Sequence, residues 1–367
     1  MINYRISFCI VCMNRLNQLK ETLLRNINNN SGYEELEFVV LNYNSQDGMH
    51  EWMIGNMQPY LANGKVSYYH TVEPQKFSHS HAKNMAFKLA KGEIVCNINA
   101  DHYTGENFAK YVNDEFVKDK NIILTTVDYF KTRPDYHPAK DVYGKVCLRK
   151  NTFMQAGGFD ETMTDYGFED WDLVNRVEMA GNKRVFIDDP AYLEFIAHTD
   201  EERYTLKDGS ALFGWFMHFI TPSMSEFIRL YESGRFERGI LIDRNTAASG
   251  DYRQAYQKPK HKFAHKLNGD RLLMGSWQNT GGDFFLLDDF GGSLSLSISD
   301  HGRRLNAAGS GHVFYRMADP QAEAGMAEFI YFYPNRCIME RNLRERIIVV
   351  NPHGFGQWEQ LNVCGLV

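Results

Sequence analysis

The first 200 residues alternate between two spacings of apolar positions. Residues 6–12 are an apolar run of strand length, and Leu16, Leu19, Leu23, Leu24 and Ile27 then recur at helical intervals. The pair of signatures repeats. Strands are expected at 36–41, 66–71, 93–98 and 122–127. Helices are expected from Met49, Trp52 and Met53, along Ala82, Met85, Ala86, Leu89 and Ala90, and along Phe108, Tyr111, Val112 and Phe116. Gly92 follows the stripe from Ala82 to Ala90 as a terminator. Non-alternating strands between helices predict an α/β fold, a mostly parallel sheet flanked by helices on both faces. Ligands on such sheets bind at the carboxyl ends of the strands, so candidate chemistry is sought there.

Beyond about residue 205 the pattern changes. Residues 211–240 read as helical and aromatic, with Trp215, Phe216, Phe219, Phe227 and Tyr231. Residues 253–271 are basic, with Lys258, Lys260, Lys262 and Lys266 among His261 and His265. This stretch is either a solvated linker or a docking segment for an anionic membrane or polymer. From Leu272 short β-like runs follow at 284–287, 294–298, 313–315, 329–333 and 347–350, separated by glycine pairs and an Asn-Pro step. The expected organisation is an α/β domain over 1–205, a helical and basic linker over 206–265, and a small all-β C-terminal module over 266–367.

The chain of 367 residues has a formal net charge of −6, which argues against nucleic acid as its partner. Residues 211–220, the longest apolar stretch, reach about half the ~20 residues a bilayer span needs. The N-terminal Met1-Ile2-Asn3-Tyr4-Arg5 lacks the features of a signal peptide. Six cysteines over this length do not make a disulfide framework, so a cytoplasmic protein is expected, with the inner face of a membrane as an alternative address. Cys9 and Cys12 form C-x-x-C inside a strand, where residues three apart point to opposite faces, so two buried thiols are expected rather than a zinc or redox pair. No dinucleotide, P-loop, zincin or serine-hydrolase signature is present.

Three features carry chemistry. Residues 94–98 run into Asn99-Ala100-Asp101-His102, placing an amide and a carboxylate at a strand's carboxyl end. On an extended chain Asn99 and Asp101 share one face. Asp101 either holds a hard cation or caps the following turn. In the second feature, Gly157-Gly158-Phe159-Asp160-Glu161 leads into Tyr166-Gly167-Phe168-Glu169-Asp170-Trp171-Asp172. If a helix starts near Phe168, then Asp170, Leu173, Val174 and Val177 form its core-facing stripe, and the first member is a carboxylate. Burying that charge is costly unless it faces a cleft or a partner, and the helix dipole favours its ionised form. A general base needs this arrangement; the bland alternative is that Glu169 and Asp170 satisfy free N–H groups of the first turn. The third feature is His198, after a strand-like 192–196. It is either structural or a metal ligand in company with Asp101.

Taken in order, Cys12-Met13-Asn14-Arg15, Asn42-Tyr43-Asn44-Ser45-Gln46-Asp47-Gly48, His81-Ala82-Lys83-Asn84, Asn99-Ala100-Asp101, Gly158-Phe159-Asp160 and Glu169-Asp170 resemble the GT-A glycosyltransferases over about residues 5–205. The likeness is chiefly to the large family 2 of bacterial sugar transferases, and the second half looks more like the β-1,4 type of galactosyltransferase. The resemblance implies a Rossmann-like GT-A catalytic domain for nucleotide-sugar and acceptor. Cys12, Met13, Asn14, Arg15, Asn42, Asn44, Lys83 and Asn99 would bind the nucleotide. Asp101 and His198 would hold Mn²⁺ or Mg²⁺, with Asn99 replacing the first carboxylate of a D-x-D signature. Tyr166 and Glu169 would bind the acceptor, and Asp170 would be the catalytic base. The implied partners are a nucleotide-sugar, most simply a UDP-sugar, and a glycan or glycolipid acceptor, as in bacterial surface polysaccharide synthesis. Two rivals are kept: a sugar nucleotidyltransferase, which would want a glycine-rich loop where Met13-Asn14-Arg15 stands, and a catalytically silent carbohydrate-binding protein.

Overall fold

The computed structural model describes residues 2–128, 133, 135, 136, 138, 139, 142–164, 166–197, 212–221, 224–243, 263–266, 273–317, 332 and 334–364. The expected alternation is present: β1 (Ile6–Cys12), α1 (Leu16–Asn29), β2 (Leu36–Tyr43), α2 (Met49–Asn56), α3 (Gln58–Ala62), β3 (Val66–Thr71), α4 (His79–Leu89), β4 (Ile94–Asn97), α5 (Phe108–Lys118) and β5 (Ile122–Thr125). It continues through β6 (Val146–Arg149), α6 (Lys150–Gln155), α7 (Glu169–Met179) and β7 (Lys183–Phe186). With β17 (Asn362–Cys364), these strands form an eight-stranded sheet ordered β17-β3-β2-β1-β4-β6-β5-β7 among the described residues. The β1–β2, β2–β3, β1–β4 and β5–β7 pairs are parallel, while β6 and β17 run against their neighbours.

Strands of this sheet read as unbroken apolar runs because each feeds two cores. Phe8, Ile10, Cys12, Phe38 and Val40 pack with Leu19, Leu23, Phe108 and Phe116 on one face. Cys9, Val11, Val39 and Leu41 pack with Met85, Phe87, Leu173 and Val174 on the other. Cys9 and Cys12 thus sit in different cores, both buried, as the period-two argument requires. This is the helix-flanked, mostly parallel GT-A sheet.

A second unit is all β: β8 (Leu212–Thr221), β9 (Met224–Tyr231), β10 (Arg235–Asp243), β11 (Phe263–Lys266), β12 (Leu273–Thr280), β13 (Asp283–Asp288), β14 (Ser293–Ser299), β15 (Arg304–Ala307) and β16 (Val313–Arg316). All its pairings are antiparallel, and the β9–β10 ladder closes eight of the strands into a barrel, with β11 extending beyond β12 along β10. Phe216, Ile228, Leu230, Phe284, Leu296, Leu305 and Phe314 share its core.

The helical expectation for 211–240 is overturned, since these residues form β8, β9 and β10. Trp215, Phe216 and Met217 are all buried, so β8 shows no polar alternation to betray a strand. Residues 347–350 join no strand, and of 329–333 only Phe332 is described, within a helical turn. The strand expected at 192–196 is a short turn (Pro190–Tyr192) followed by a single bridge between Phe195 and His102. Of the basic 253–271 segment only β11 lies among the described residues.

The chain divides into two compact units, Met1–Ala197 with Pro334–Val367, and His198–Tyr333. The module expected over 266–367 therefore loses its last part to the first unit. Residues 334–344 are helical, and the segment after them is tied down by polar groups. The buried Arg176 guanidinium donates to the Ala156, Gly158 and Ile348 carbonyls. Asn351 donates to the Gly157 and Phe159 carbonyls, and β17 then pairs with β3. Close approach explains the glycine pair: both have positive φ, and a Cβ would lie 2.1 Å from the Val350 oxygen at Gly157 and 2.5 Å from Asn84 Oδ1 at Gly158. No helix among the described residues is long and apolar enough to cross a membrane.

Candidate active site

The site lies at the carboxyl edge of β1, β2 and β4. There β1 and β2 bring two of the expected nucleotide-binding stretches together, with Cys12 paired to Asn42. Asn14 N–H donates to Ser45 Oγ at 3.0 Å, and Gln46 N–H donates to Asn14 Oδ1 at 2.7 Å. Asn14 and Asn44 both adopt the left-handed backbone that asparagine tolerates in turns. The Asn42 side chain is consumed by the fold, donating to the Tyr68 hydroxyl and accepting from Ser45 N–H. Asn44 donates to the Pro74 carbonyl. Cys12 is buried, and burial pushes its thiol up to about 12, while Met13 packs on the second core and Arg15 precedes α1.

Asp101 stands where β4 ends, but the extended chain stops at Asn97. Residues 99–102 form a turn closed by His102 N–H to the Asn99 carbonyl at 3.0 Å, so the shared-face argument for Asn99 and Asp101 does not hold. Asn99 instead accepts from Asn97 Nδ2 at 3.0 Å and contacts His102 Nε2 at 3.4 Å. The turn is fixed through its backbone carbonyls. Ala100 O accepts from Thr22 Oγ1, Asp101 O from Ile196 N–H, His102 O from Asn26 Nδ2, and Tyr103 O from the Lys145 ammonium. Asn26 Oδ1 also accepts from Thr104 N–H, and Asn30 Nδ2 donates to Thr104 Oγ1. Thr22, Asn26 and Asn30 recur every four residues on α1, a buried polar stripe whose period places it on one face. Lys145 is fully buried, also donates to the Tyr192 carbonyl, and is pushed down to about 7 by burial.

At the start of α7 the anticipated stripe forms, with Leu173, Val174 and Val177 in the second core and Glu169 and Asp170 buried at its head. Entry to the helix is strained: Phe168 adopts φ 68° after Gly167 at 78°, and Asn335 Nδ2 donates to the Gly167 carbonyl at 2.8 Å. The Lys83 ammonium lies 2.8 and 2.9 Å from the two Asp170 oxygens and 2.9 Å from Glu169 Oε1. Lys83, expected among the nucleotide contacts, is here spent on these two carboxylates. Burial, with the Glu169 charge beside it, outweighs the ammonium and pushes Asp170 up to about 6. Burial raises Glu169 too, but Lys83 and His79 outweigh it and hold this carboxyl below its usual range. Glu169 Oε2 is buried with no hydrogen-bond partner among the described residues.

Sequence reasoning missed His79, in the Ser78-His79-Ser80-His81 run that opens α4. Its Nδ1 lies 3.8 Å from Glu169 Oε1, its ring meets Tyr166 edge-on at 5.0 Å, and burial pushes it down to about 4, so it is neutral at pH 7. Burial, then the charges of Glu169, Asp101 and Asp170, pushes the Tyr166 phenol up to about 12. The Tyr166 phenol thus feels charge from the Asp101 turn as well as from the α7 carboxylates. His198 lies outside the described residues.

Among the described residues no group of three His, Cys, Asp or Glu side chains could by itself hold a metal ion. Asp101 is a single hard-oxygen donor, 17% exposed, at a backbone turn anchored by α1, by Lys145 and by Ile196. One carboxylate completed by substrate phosphates is a common way to bind Mg²⁺, so the residues fit a cation that arrives with a nucleotide.

Residues 7–169 match the family described as Glycosyl transferase family 2. No curated protein sequence matches the chain. Among solved structures the chain is similar to the mannosyltransferase PcManGT from Pyrobaculum calidifontis in complex with GDP-Man and Mn²⁺, at 19% identity over 56% of this chain and 62% of that one, with a TM-score of 0.45. It is similar to S. aureus TarS 1-349 in complex with UDP, at 16% identity over 55% of this chain and 63% of that one, TM-score 0.42. It is also similar to GalNAc-T7 with UDP, GalNAc and Mn²⁺, at 11% identity over 88% of this chain and 80% of that one, TM-score 0.42. The chain spans about three fifths of the mannosyltransferase and of TarS 1-349. Likenesses this distant carry no argument about what this chain binds. The family match covers residues 7–169, under half of the chain, and supports a transferase domain there.

Proposed function

We propose that the protein is a metal-dependent, inverting glycosyltransferase that moves a sugar from a nucleotide-sugar, most simply a UDP-sugar, to a hydroxyl of a glycan acceptor. The observation that carries this reading is the pair of buried carboxylates at the head of α7, both hydrogen-bonded to the buried Lys83 ammonium. Asp170, poised near pH 6, is ionised at neutral pH yet basic enough to accept a proton, as a general base must be. It takes the proton of the acceptor hydroxyl as that oxygen bonds to the anomeric carbon. The bond from that carbon to the diphosphate breaks on the opposite face, and the nucleoside diphosphate leaves with the electron pair. Glu169 Oε2 is left to accept a hydrogen bond from the acceptor, and Tyr166 offers its ring. A divalent cation held by Asp101, with His198 as the second ligand the resemblance implies, would offset the charge growing on the leaving group. The strand-edge stretches 12–15 and 42–44 support the nucleotide. The likeness to family 2 sugar transferases favours a bacterial surface polysaccharide as the acceptor's destination.

The test is a panel of UDP- and GDP-sugars, scored by thermal shift with and without Mn²⁺ and then by donor turnover. A UDP-sugar is expected to stabilise the protein only with the metal. Asp170→Asn should lower turnover by roughly 10²–10⁴-fold with donor affinity nearly unchanged. Undiminished turnover by that variant removes Asp170 from the role, and full activity in EDTA removes the metal. A chain that binds glycans but turns over no donor would be the silent binding protein instead.

A further inference from the structure

We propose that Lys83 is the positioning residue of the site: its ammonium is the shared counter-cation that keeps the Glu169–Asp170 pair ionised and aims Asp170 as a base. The proposal rests on the transferase reading above. An ammonium has three protons, and three carboxylate oxygens take them, Asp170 Oδ1 at 2.8 Å, Asp170 Oδ2 at 2.9 Å and Glu169 Oε1 at 2.9 Å. The Phe159 ring lies 5.3 Å from the nitrogen and closes one side. Lys83 is 2% exposed, so the pairing takes place away from bulk water, where an uncompensated carboxylate is most heavily penalised. In this arrangement no ammonium proton remains for a nucleotide phosphate.

The groups facing the pair can be named from every element around it. Among the described residues they are His79 from α4 and Tyr166 from the segment before α7. His79 is neutral at pH 7 and Tyr166 is protonated. Lys83 is thus the cation that bears on both carboxylates, and the trio carries one net negative charge. Removing it leaves two negative charges on consecutive residues in the same buried volume. One of them must then take up a proton, and a protonated Asp170 is no base. If Lys83 acts through charge, cutting a negative charge from Glu169 should undo its loss. If it only fills space, that substitution should not help.

The experiment compares wild type, Lys83→Arg, Lys83→Met and the double variant Lys83→Met with Glu169→Gln. The first readout is the pH profile of kcat/KM for whichever nucleotide-sugar the panel identifies. Lys83→Met is expected to move the acid limb upward by at least one pH unit and to lower kcat/KM at pH 7 at least tenfold. Lys83→Arg should leave the limb in place, and the double variant should return it toward wild type even if acceptor KM rises. The second readout needs no substrate: thermal denaturation at pH 5 and pH 8. Lys83→Met should lose more Tm at pH 8 than at pH 5, and the double variant should recover that difference. An unmoved limb, a pH-independent loss of Tm, or a double variant no better than Lys83→Met overturns the proposal. If Lys83→Met does not fold, the double variant decides, because charge compensation requires that it fold. Should wild type turn over no donor, the transferase reading fails while the denaturation series still judges Lys83.

Discussion

The two acidic ends of the site are held in place by opposite means. The Asp101 turn is gripped through its backbone: Thr22, Asn26 and Lys145 take its carbonyls, and Ile196 takes a fourth. The α7 turn is gripped through its side chains, with Glu169 and Asp170 themselves bound to a buried ammonium. Backbone anchoring fixes where a carboxylate starts, which suits a group that must meet a cation arriving with substrate. Side-chain anchoring by a resident cation suits a carboxylate that must stay ionised in a dry place and then accept a proton. The same residue type is therefore set up for a metal at one end and for a proton at the other.

The comparison breaks most visibly at Asp101. Asp101→Asn keeps the shape and the carbonyl anchors but removes the charge, so Mn²⁺ affinity in the presence of UDP should fall roughly 10–100-fold, as read by metal titration. Equal Mn²⁺ affinity in the variant would place the cation elsewhere and dissolve the contrast.

How much of this could be read beforehand depends on whether the information is local. The order of strands and helices to residue 127 was legible because each element carries its own period. Asp170 was legible because a carboxylate continues the Leu173, Val174, Val177 stripe. The counter-cation was not: Lys83 sits 87 residues from Asp170, and nothing in Ala82-Lys83-Asn84 says which charge it will meet. The barrel strands escaped because burial of successive residues such as Trp215, Phe216 and Met217 erases the alternation that marks a strand. The return of residues 334–364 to the first unit escaped because its ties are scattered: polar contacts from Asn335 to Gly167 and from Asn351 to Gly157 and Phe159, Phe355 in the second core, and the three-residue β17 on β3, with no periodicity of their own.

A second break tests the neutral anchors. Asn26 is wholly buried and serves both the His102 carbonyl at 2.9 Å and the Thr104 N–H at 2.8 Å. Asn26→Ala leaves a buried acceptor and a buried donor without it, and each such loss costs about 1–3 kcal/mol. Chemical denaturation should therefore show a loss of roughly 2–5 kcal/mol, with weaker Mn²⁺ binding because the turn is no longer fixed. The pH dependence of stability should not change, since Asn26 carries no charge. A variant with altered pH dependence would mean that the two ends of the site are not independent.

The finest test concerns the sign of the charge effect at α7. Asp170 is raised in the folded protein to about 6 from the 3.8 of a free aspartate. Below about pH 4 it is protonated whether the chain is folded or not, and its contribution is fully favourable. As pH rises through 6 the folded state must give up that proton against its preference, and the contribution is lost. His79 works the other way over a similar range, because its folded value near 4 lies below that of a free imidazole, and Lys145, pushed down to about 7, adds its own change at the upper end, so wild type shows a sum of several groups. Subtracting wild type from Asp170→Asn cancels the others and isolates the carboxylate. The variant should gain stability relative to wild type between pH 4.5 and pH 7.5, by an amount of order 1–3 kcal/mol at 1.36 kcal/mol per unit. Denaturant titrations at the two pH values measure it. A difference that shrinks as pH rises would show that Asp170 is stabilised by its charge in the fold, and the α7 carboxylate would then be a structural ion pair rather than a base held ready.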